Sequence, residues 1–466
     1  MMPTPPTTLS FSAFDASESV ANLHLALDSS GLVQQINDLK NESWRGKPFE
    51  VSLCGDYEIL RKFLGLQGAS ATYPCTHCLV HKNDLNKDIT STPRTIDQIV
   101  SDFEKVESQG FKSSAKRENN SISHKPFFNI PINKVCPPAL HISLGIWQKF
   151  FTLLERDLQE LGEAIADDLA EKESSSSSSS SVTCEAFDTY VQSIKQIKQG
   201  IRVKRDNADN LRSEALDIEF EMMSQSLLAP QEPDMEQMKE VEELHRRASN
   251  LEKEADLLRS KYSLEEFQNP LLTKLDVTLK EFKVRRQAYF GRTFCGNHVD
   301  KCLKPENYTR LLESVVEETR KLDSDMEDRA SIIQMKYLVL FEHFSKCHRH
   351  YSHARPVTTQ DIDTLERGIK DLMDHFLKKF PNVRITPKMH LLWKHVPCFM
   401  KETMHGLGRY GEQGGEQQHK IFNELTRRLQ GIQRGQKEPE LQLLLSVMEE
   451  HIIITHPDIH VNFMEE

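Results

Sequence analysis

The segment Tyr73-Pro74-Cys75-Thr76-His77-Cys78 contains two cysteines with two residues between them, and it constrains the fold more than any other part of the sequence. Far downstream, His390 and His395 follow in a short segment that Pro387 and Pro397 bracket. Two thiolates and two imidazoles are the donor set that a structural Zn²⁺ prefers in tetrahedral array. The spacing therefore predicts a Zn²⁺ site at Cys75, Cys78, His390 and His395 that ties the front of the chain to its back.

Alternatives to this site remain open on the residues alone. The cysteines could form a redox pair, although no thioredoxin-like pattern surrounds them, and the histidines could be ordinary core or surface residues. His77 is expected to be a surface residue rather than a ligand, and the rival group Cys347, His348, His350 and His353 is expected to be solvated.

Composition describes a globular protein large enough for several structural units, with 466 residues, 38% hydrophobic and 28% charged. No apolar run is long enough for a membrane span, and the N-terminal residues lack the pattern of a signal peptide. Nine cysteines, an odd number, indicate a reducing compartment. The net charge of -11 argues against indiscriminate binding to phosphates. However, six Lys or Arg against three Glu between Arg409 and Lys437 predict a local basic face, or else a solvated helix surface.

The front of the chain reads as mixed α/β. Leu9 to Phe14 and Phe49 to Cys54 alternate as strands, and Tyr57 to Leu66 is predicted to be a helix. Asp56 stands between strand and helix, where an acid can project into a cleft.

The middle of the chain is predicted to be helical. Apolar residues at 3-4 spacing from Phe187 to Met222 and from Val241 to Tyr262 predict an antiparallel helical hairpin, with a dimerisation arm as the alternative. The predicted segments are a front part with the cysteines (7–82), a poorly ordered loop (83–136), a helix with a Ser-rich tether (137–183), the hairpin (184–264), a helical insertion (265–384) and a final part with the histidines (385–466).

Glu412 and Glu416 follow the histidines in a glycine-rich segment that becomes helical. Gathered carboxylates can hold divalent ions for phosphoryl transfer, whereas ordinary acids at a helix N-terminus are the simpler interpretation. His419 and Lys420 are candidate phosphate contacts or plain surface residues.

Several segments together resemble the catalytic core of the V(D)J recombination-activating recombinase and its Transib-type transposase relatives. The resemblance runs in fragments from about Leu9 to Leu429, and its order and spacing are more specific than any single motif. The matching segments are Gly55-Asp56-Tyr57 before the cysteines, Ala139 to Gly145, Gly296-Asn297 before Lys301-Cys302-Leu303, His390 to Pro397, and Glu416 to Phe422.

The resemblance implies an α+β protein: a partial RNase H-like α/β core with a large, mostly helical insertion that includes the long antiparallel hairpin. It implies structural Zn²⁺ at the four donors, and Mg²⁺ or Mn²⁺ at Asp56 and Glu416, with Glu412 as a secondary acid. In the family the first catalytic Asp lies on the first strand, well before the second. Leu9 to Phe14 resembles a later strand, so we expect that first strand and its Asp to be missing and the triad to be incomplete.

We therefore expect a transposase-derived, nuclear DNA-binding protein of the DDE recombinase type, with strand cleavage in doubt. DNA is the expected partner, a homodimer is possible, and neither a membrane nor a small-molecule cofactor is expected. The alternatives are a non-enzymatic nuclear scaffold that assembles through the hairpin and a cytosolic zinc-stabilised adaptor.

Overall fold

The computed structural model describes residues 20–29, 31–39, 42–44, 46–175, 196–197, 199–212, 214–215, 218, 235–262, 269–286 and 293–411. The predicted strand Leu9 to Phe14, most of the Ser-rich tether, the start of the hairpin, and Glu412, Glu416, His419 and Lys420 lie outside these residues. The described part is mostly helical and divides into two compact units. The first takes residues 1–148, 294–299 and 342–466, and the second takes 149–293 and 300–341.

The helices and strands of the described residues follow the chain in this order. Those up to residue 138 are α1 (Val20–Ser29), α2 (Leu32–Asp38), β1 (Ser43–Trp44), β2 (Lys47–Pro48), α3 (Tyr57–Phe63), α4 (Ile96–Ser108) and α5 (Ser113–Glu118). The middle of the chain has α6 (Ala139–Ser175), α7 (helical over 199–212), α8 (Met235–Tyr262), α9 (Pro270–Glu281), α10 (Gly296–Cys302) and α11 (Pro305–Leu322). The rest are α12 (Glu327–Tyr351), α13 (Thr359–Lys379), α14 (Pro387–Lys394) and α15 (Val396–Thr403). None of the described helices is long and apolar enough to cross a membrane.

The sheet of an RNase H-like core is not found among the described residues, whose named strands β1 and β2 form one short antiparallel pair. The prediction that Phe49 to Cys54 forms a strand was wrong. Only Leu53 makes a bridge, a parallel one to Val135. Alternating side chains indicate an extended backbone, but a strand also needs a neighbouring backbone that pairs along its length. This segment has one such contact, and Phe49 stays 41% exposed.

The expectation that residues 83–136 form a poorly ordered loop was also wrong, because this segment contains α4 and α5. The Thr95 hydroxyl caps α4 by accepting a hydrogen bond from the Gln98 N–H, at 3.1 Å. Ile96, Ile99 and Val106 share the buried side of α4 at helical spacing. Ile96 and Ile99 join an apolar core with α1, α3 and the segment from Ile122 to Val135.

Gly65 closes the turn after α3, where the core is tightest. Its φ of +75° is left-handed, and an added Cβ would lie 2.1 Å from the backbone oxygen of His124. The Gly65 carbonyl also accepts a hydrogen bond from the Ser123 N–H, at 2.8 Å. Only glycine fits both the conformation and the close approach.

In the second unit, α9 packs on α11 through buried leucines and through a 3.0 Å hydrogen bond between the hydroxyls of Thr278 and Ser314. The helices α7 and α8 run antiparallel, as the sequence repeat predicts. Ala215, Val241 and Leu244 form the apolar seam between the two arms. On its flanks, ion pairs join Lys204 to Glu254 at 2.6 Å and Arg212 to Glu252 at 2.8 Å.

Candidate metal centre

The two cysteines lie on a loop that is held in place by backbone hydrogen bonds and by buried side chains. The loop pairs with residues 92–94, where the Leu79 N–H donates to the Thr92 carbonyl and the Arg94 N–H donates to the His77 carbonyl, both at 2.8 Å. From α3, the Tyr57 hydroxyl donates to the Pro74 carbonyl at 2.7 Å. The backbone around Cys75 is therefore fixed from two sides.

The two histidines are positioned by the junction of α14 and α15. Thr386 caps α14, Pro387 occupies its first turn, and His390 lies on the buried side of the helix. His395 sits between the two helices, with a backbone that ends α14 and begins α15. The chain therefore bends at His395, while His390 is the fourth residue of α14.

Cys75, Cys78, His390 and His395, which we call the clasp, come together in the first unit. Their ligand atoms all lie within 4.8 Å of one another. The Cys78 Sγ is 3.3 Å from the His390 Nε2. A Zn²⁺ with sulfur at about 2.3 Å and nitrogen at about 2.0–2.1 Å in tetrahedral array places such atoms about 3.6 Å apart. The observed separation is close to that value.

The burial and hydrogen bonding of the clasp fit a metal as well. Cys75 is fully buried, and Cys78 and His390 are each 3% exposed. The buried Nε2 of His395 has no hydrogen-bond partner among the described residues. The backbone N–H of His77 donates to the Cys75 Sγ at 3.3 Å, the kind of outer contact that supports a thiolate ligand. The clasp is therefore a buried group that could hold a zinc ion.

The protonation of the two thiols is coupled. The pKa of Cys78 is lowered, first because Cys75 donates a hydrogen bond to its sulfur and further by the neighbouring imidazoles of His390 and His395. The pKa of Cys75 is raised, first by burial and then by Cys78. The pair thus readily loses one proton and retains the other. A dication between the sulfurs would displace the retained proton.

Two buried guanidinium groups flank the cysteine loop. Arg94 donates to the carbonyls of Cys75 at 2.9 Å, Tyr73 at 3.0 Å and Asn120 at 3.1 Å. Arg61 donates to the Pro74 carbonyl at 2.5 Å. Burial lowers the pKa of Arg94 to about 10, and the nearby sulfurs of Cys75 and Cys78 oppose that shift.

The described residues give neither guanidinium a carboxylate partner, and buried cations need an offsetting charge. Thiolate sulfur is the source of negative charge that lies beside Arg94. The same charge is what a metal ligand requires, so the surroundings favour the deprotonated clasp.

Further contacts close the clasp across the same long stretch of chain. The Asn86 side chain donates to the Val383 carbonyl at 3.1 Å and accepts from the Ile385 N–H at 2.8 Å. Lys394 forms an ion pair with Asp88. The loop after Cys78 is therefore joined to the backbone before α14 and to the end of that helix by direct contacts.

The expectation that His77 lies at the surface was wrong. It is 7% exposed, its Nε2 lies 2.9 Å from the Val135 carbonyl, and its ring stacks on His395 at 5.0 Å between centroids. Burial lowers its pKa to about 3, so it is neutral near pH 7. His77 supports the ring of a ligand, and no sequence signal distinguished this role from exposure.

The rival group around Cys347 was expected to be solvated, which was wrong for two of its members. Cys347 is 1% and His348 7% exposed, and burial raises the pKa of Cys347 to about 12. The His348 ring contacts Tyr351 edge-on and lies tilted against Phe344. These residues are not among the described groups whose ligand atoms gather closely enough for a metal.

Asp56 is the N-cap of α3. Its Oδ1 accepts hydrogen bonds from the N–H groups of Glu58 and Ile59, both at 2.7 Å. These hydrogen bonds give partners to backbone N–H groups of the first turn, which have none within the helix. Glu412 and Glu416, its predicted partners in divalent-ion binding, lie outside the described residues.

A comparison of the chain with models of protein families matches no family. A comparison with curated proteins finds no significant match.

Proposed function

We propose that the clasp binds a structural Zn²⁺ and that the chain is a nuclear, DNA-binding protein derived from DDE-type transposases. The observation that carries the proposal is the convergence of Cys78 and His390 across 312 residues, with their ligand atoms 3.3 Å apart. The sequence resemblance pairs these same segments as zinc ligands. Their proximity supports the resemblance at the point where it is most specific.

The zinc would be structural because four protein donors fill a tetrahedral shell and leave no position for water or substrate. Its expected effect is to fix the loop at Cys75 against the junction of α14 and α15.

The proposed function is DNA binding without strand cleavage. The segment from Arg409 to Lys437, with its excess of basic residues, is the candidate surface for phosphates. Any cleavage would need Mg²⁺ or Mn²⁺ held by Asp56 and Glu416, with Glu412 assisting. Asp56 already uses one oxygen as a helix cap, which weakens the case for catalysis.

The test is binding of the zinc-loaded chain to duplex DNA, followed by fluorescence anisotropy over a series of salt concentrations. We expect affinity to fall as salt rises, to survive Asp56→Ala, and to fall in the double variant Arg427→Glu/Arg428→Glu. Lys204→Glu on the hairpin is the matched control, which we expect to leave affinity almost unchanged. The absence of binding at low salt would refute the proposal, and Mn²⁺-dependent nicking that Asp56→Ala abolishes would show an active nuclease instead.

A second candidate function is assembly through the hairpin. Val203 on α7 and Met238 on α8 are apolar yet 49% and 47% exposed, and the helical repeat of the hairpin is of the kind that also pairs helices of separate chains. Light scattering is the test: we expect twice the monomer mass, which deletion of 184–262 returns to monomer. A monomeric full-length chain would exclude this function.

A further inference from the structure

A second group of charged residues lies in the second unit, away from the clasp residues in sequence. Asp168 and Lys172 stand one turn apart near the end of α6. Asp323 and Asp325 belong to the turn after α11, where Asp323 caps a short 3-10 helix and accepts a hydrogen bond from the Asp325 N–H at 3.0 Å. We call Asp168, Asp323 and Asp325 the acidic cluster.

Lys172 reaches all three carboxylates. Its Nζ lies 2.6 Å from Asp168, 3.1 Å from Asp323 and 2.7 Å from Asp325. These contacts raise the pKa of Lys172, and Lys172 is the main cause of the lowered pKa of Asp168. Three carboxylates around one ammonium group leave the cluster with an excess of two negative charges.

Asp323 carries the independent sign of a missing ligand. Its side chain is 3% exposed, and its Oδ2 has no hydrogen-bond partner among the described residues. A buried carboxylate oxygen normally has a donor or a cation beside it. The other oxygen of Asp323, Oδ1, lies 3.1 Å from the Lys172 Nζ, so the buried carboxyl faces the cluster.

We propose that the acidic cluster binds a hard divalent cation, Ca²⁺ or Mg²⁺, in exchange for Lys172. The three carboxylates offer ligand oxygens that all lie within 4.8 Å of one another. Oxygens that share a Ca²⁺ at about 2.3–2.6 Å cannot be more than about 5 Å apart, so the cluster meets this requirement as it stands. Hard dications prefer such oxygen donors, whereas the sulfur-containing clasp prefers Zn²⁺.

The exposures of the individual side chains make the exchange physically reasonable. Lys172 is 44% exposed, so its ammonium group can move into water when a dication takes its place. Asp325 is 71% exposed, which leaves an open side where water molecules complete the shell. The buried Asp323 supplies one ligand in a fixed position, while the exposed side chains of Asp325 and Lys172 can change conformation when the cation binds.

The test is isothermal titration calorimetry of the zinc-loaded chain with Ca²⁺ and, separately, with Mg²⁺. We expect one site per chain. Asp323→Asn and the exposed variant Asp325→Asn should each weaken binding by about tenfold or more, because each removes a charged ligand. Lys172→Met should tighten binding by about threefold or more, because it removes the internal competitor.

The matched control is Glu342→Gln, which breaks another pair between an acid and the lysine four residues later, here Lys346, on α12. We expect it to leave the cation affinity unchanged. The proposal is overturned if neither cation binds up to about 10 mM, which is about tenfold above the dissociation constants of the weakest natural Ca²⁺ sites. It is equally overturned if binding survives Asp325→Asn unchanged or weakens in Lys172→Met.

Discussion

The clasp joins residues 312 positions apart in the chain, whereas the hairpin joins two helices that follow one another closely. Around the clasp the buried groups are thiols, imidazoles and guanidiniums, and several of them are held by specific hydrogen bonds. In the hairpin the buried groups are small or branched apolar side chains, and the charged pairs stay near the surface.

The difference shows two ways to specify structure. A periodic apolar seam spreads stability over many similar contacts, so each one matters moderately. A convergent site concentrates it in a few polar groups that have no substitute, because a buried polar group without its partner is costly. The two regions should therefore respond very differently to single substitutions.

The largest effect should come from Cys75→Ser, which removes a proposed zinc ligand. A ligand at about 1,000 times its Kd contributes about 4 kcal/mol of folding stability, equivalent to a fall of about 10 °C in Tm for a unit of this size. Calorimetry with zinc analysis should show one zinc per wild-type chain and none in the variant. A wild-type chain that is free of zinc and equally stable would contradict the assignment, and Cys54→Ser, at an exposed cysteine, is the control.

A smaller effect should come from Arg94→Leu, which removes the donors of three backbone carbonyls and a buried positive charge. Loss of outer contacts of this kind weakens metal binding by about 10- to 100-fold, or about 1.4–2.8 kcal/mol. Competition with a zinc chelator measures the change. Unchanged zinc affinity would mean that Arg94 supports only the fold.

The hairpin should respond to Leu244→Ala, which empties part of its seam. Leu244 is 6% exposed, and truncation of a buried leucine costs about 2–3 kcal/mol at the lower end of measured values. Hydrogen exchange should show faster opening in α7 and α8, with zinc content unchanged. Loss of zinc from this variant would break the contrast between the regions.

The clasp should also respond to a fall in pH, through its affinity for zinc. The raised pKa of Cys75 means that the metal-free clasp retains a proton that zinc must displace. Zinc affinity should therefore fall as the pH falls, by about tenfold per pH unit for each proton released. Titration calorimetry in buffers of different ionisation enthalpy measures the number of protons released. Zinc binding without proton release would contradict the claim that the metal-free clasp retains a proton.

The smallest effect should come from Lys204→Ala, which removes one ion pair on the flank of the hairpin. Lys204 and Glu254 are 31% and 56% exposed, and pairs of this kind contribute about 0.2–1 kcal/mol. Chemical denaturation at low and high salt should show a loss that high salt reduces. A loss larger than that of Leu244→Ala would mean that the flank, not the seam, holds the arms together.

The hairpin could be predicted from sequence because its information is local. Repeats at helical spacing place Leu244 and Ala248 on one side of α8, and a pair of such helices has few ways to bury that side. The clasp could be predicted only because the spacing of cysteines and histidines resembles a known pattern. Neither periodicity nor composition brings residues near 75 and 390 together.

Other features were missed for physical reasons. The helix α4 has a cap at Thr95 and a clear apolar side, but it lies in a polar stretch whose composition suggested a loop. Phe49 to Cys54 alternates like a strand, yet the partner that would make it one is a matter of tertiary structure. The buried Arg61, Arg94 and His77 were not anticipated, because charged and polar residues are usually exposed unless distant groups receive them.

The separation of the clasp donors has a consequence for synthesis. At about 5–20 residues per second, the ribosome needs about 15–60 s to add the 312 residues between Cys78 and His390. During that interval the cysteine loop is a nascent half-site with two thiols and no imidazole from α14. A zinc ion bound in that interval must be held by sulfur alone or by donors from another molecule. The rate of translation and the supply of zinc therefore affect how often the nascent chain forms the correct site.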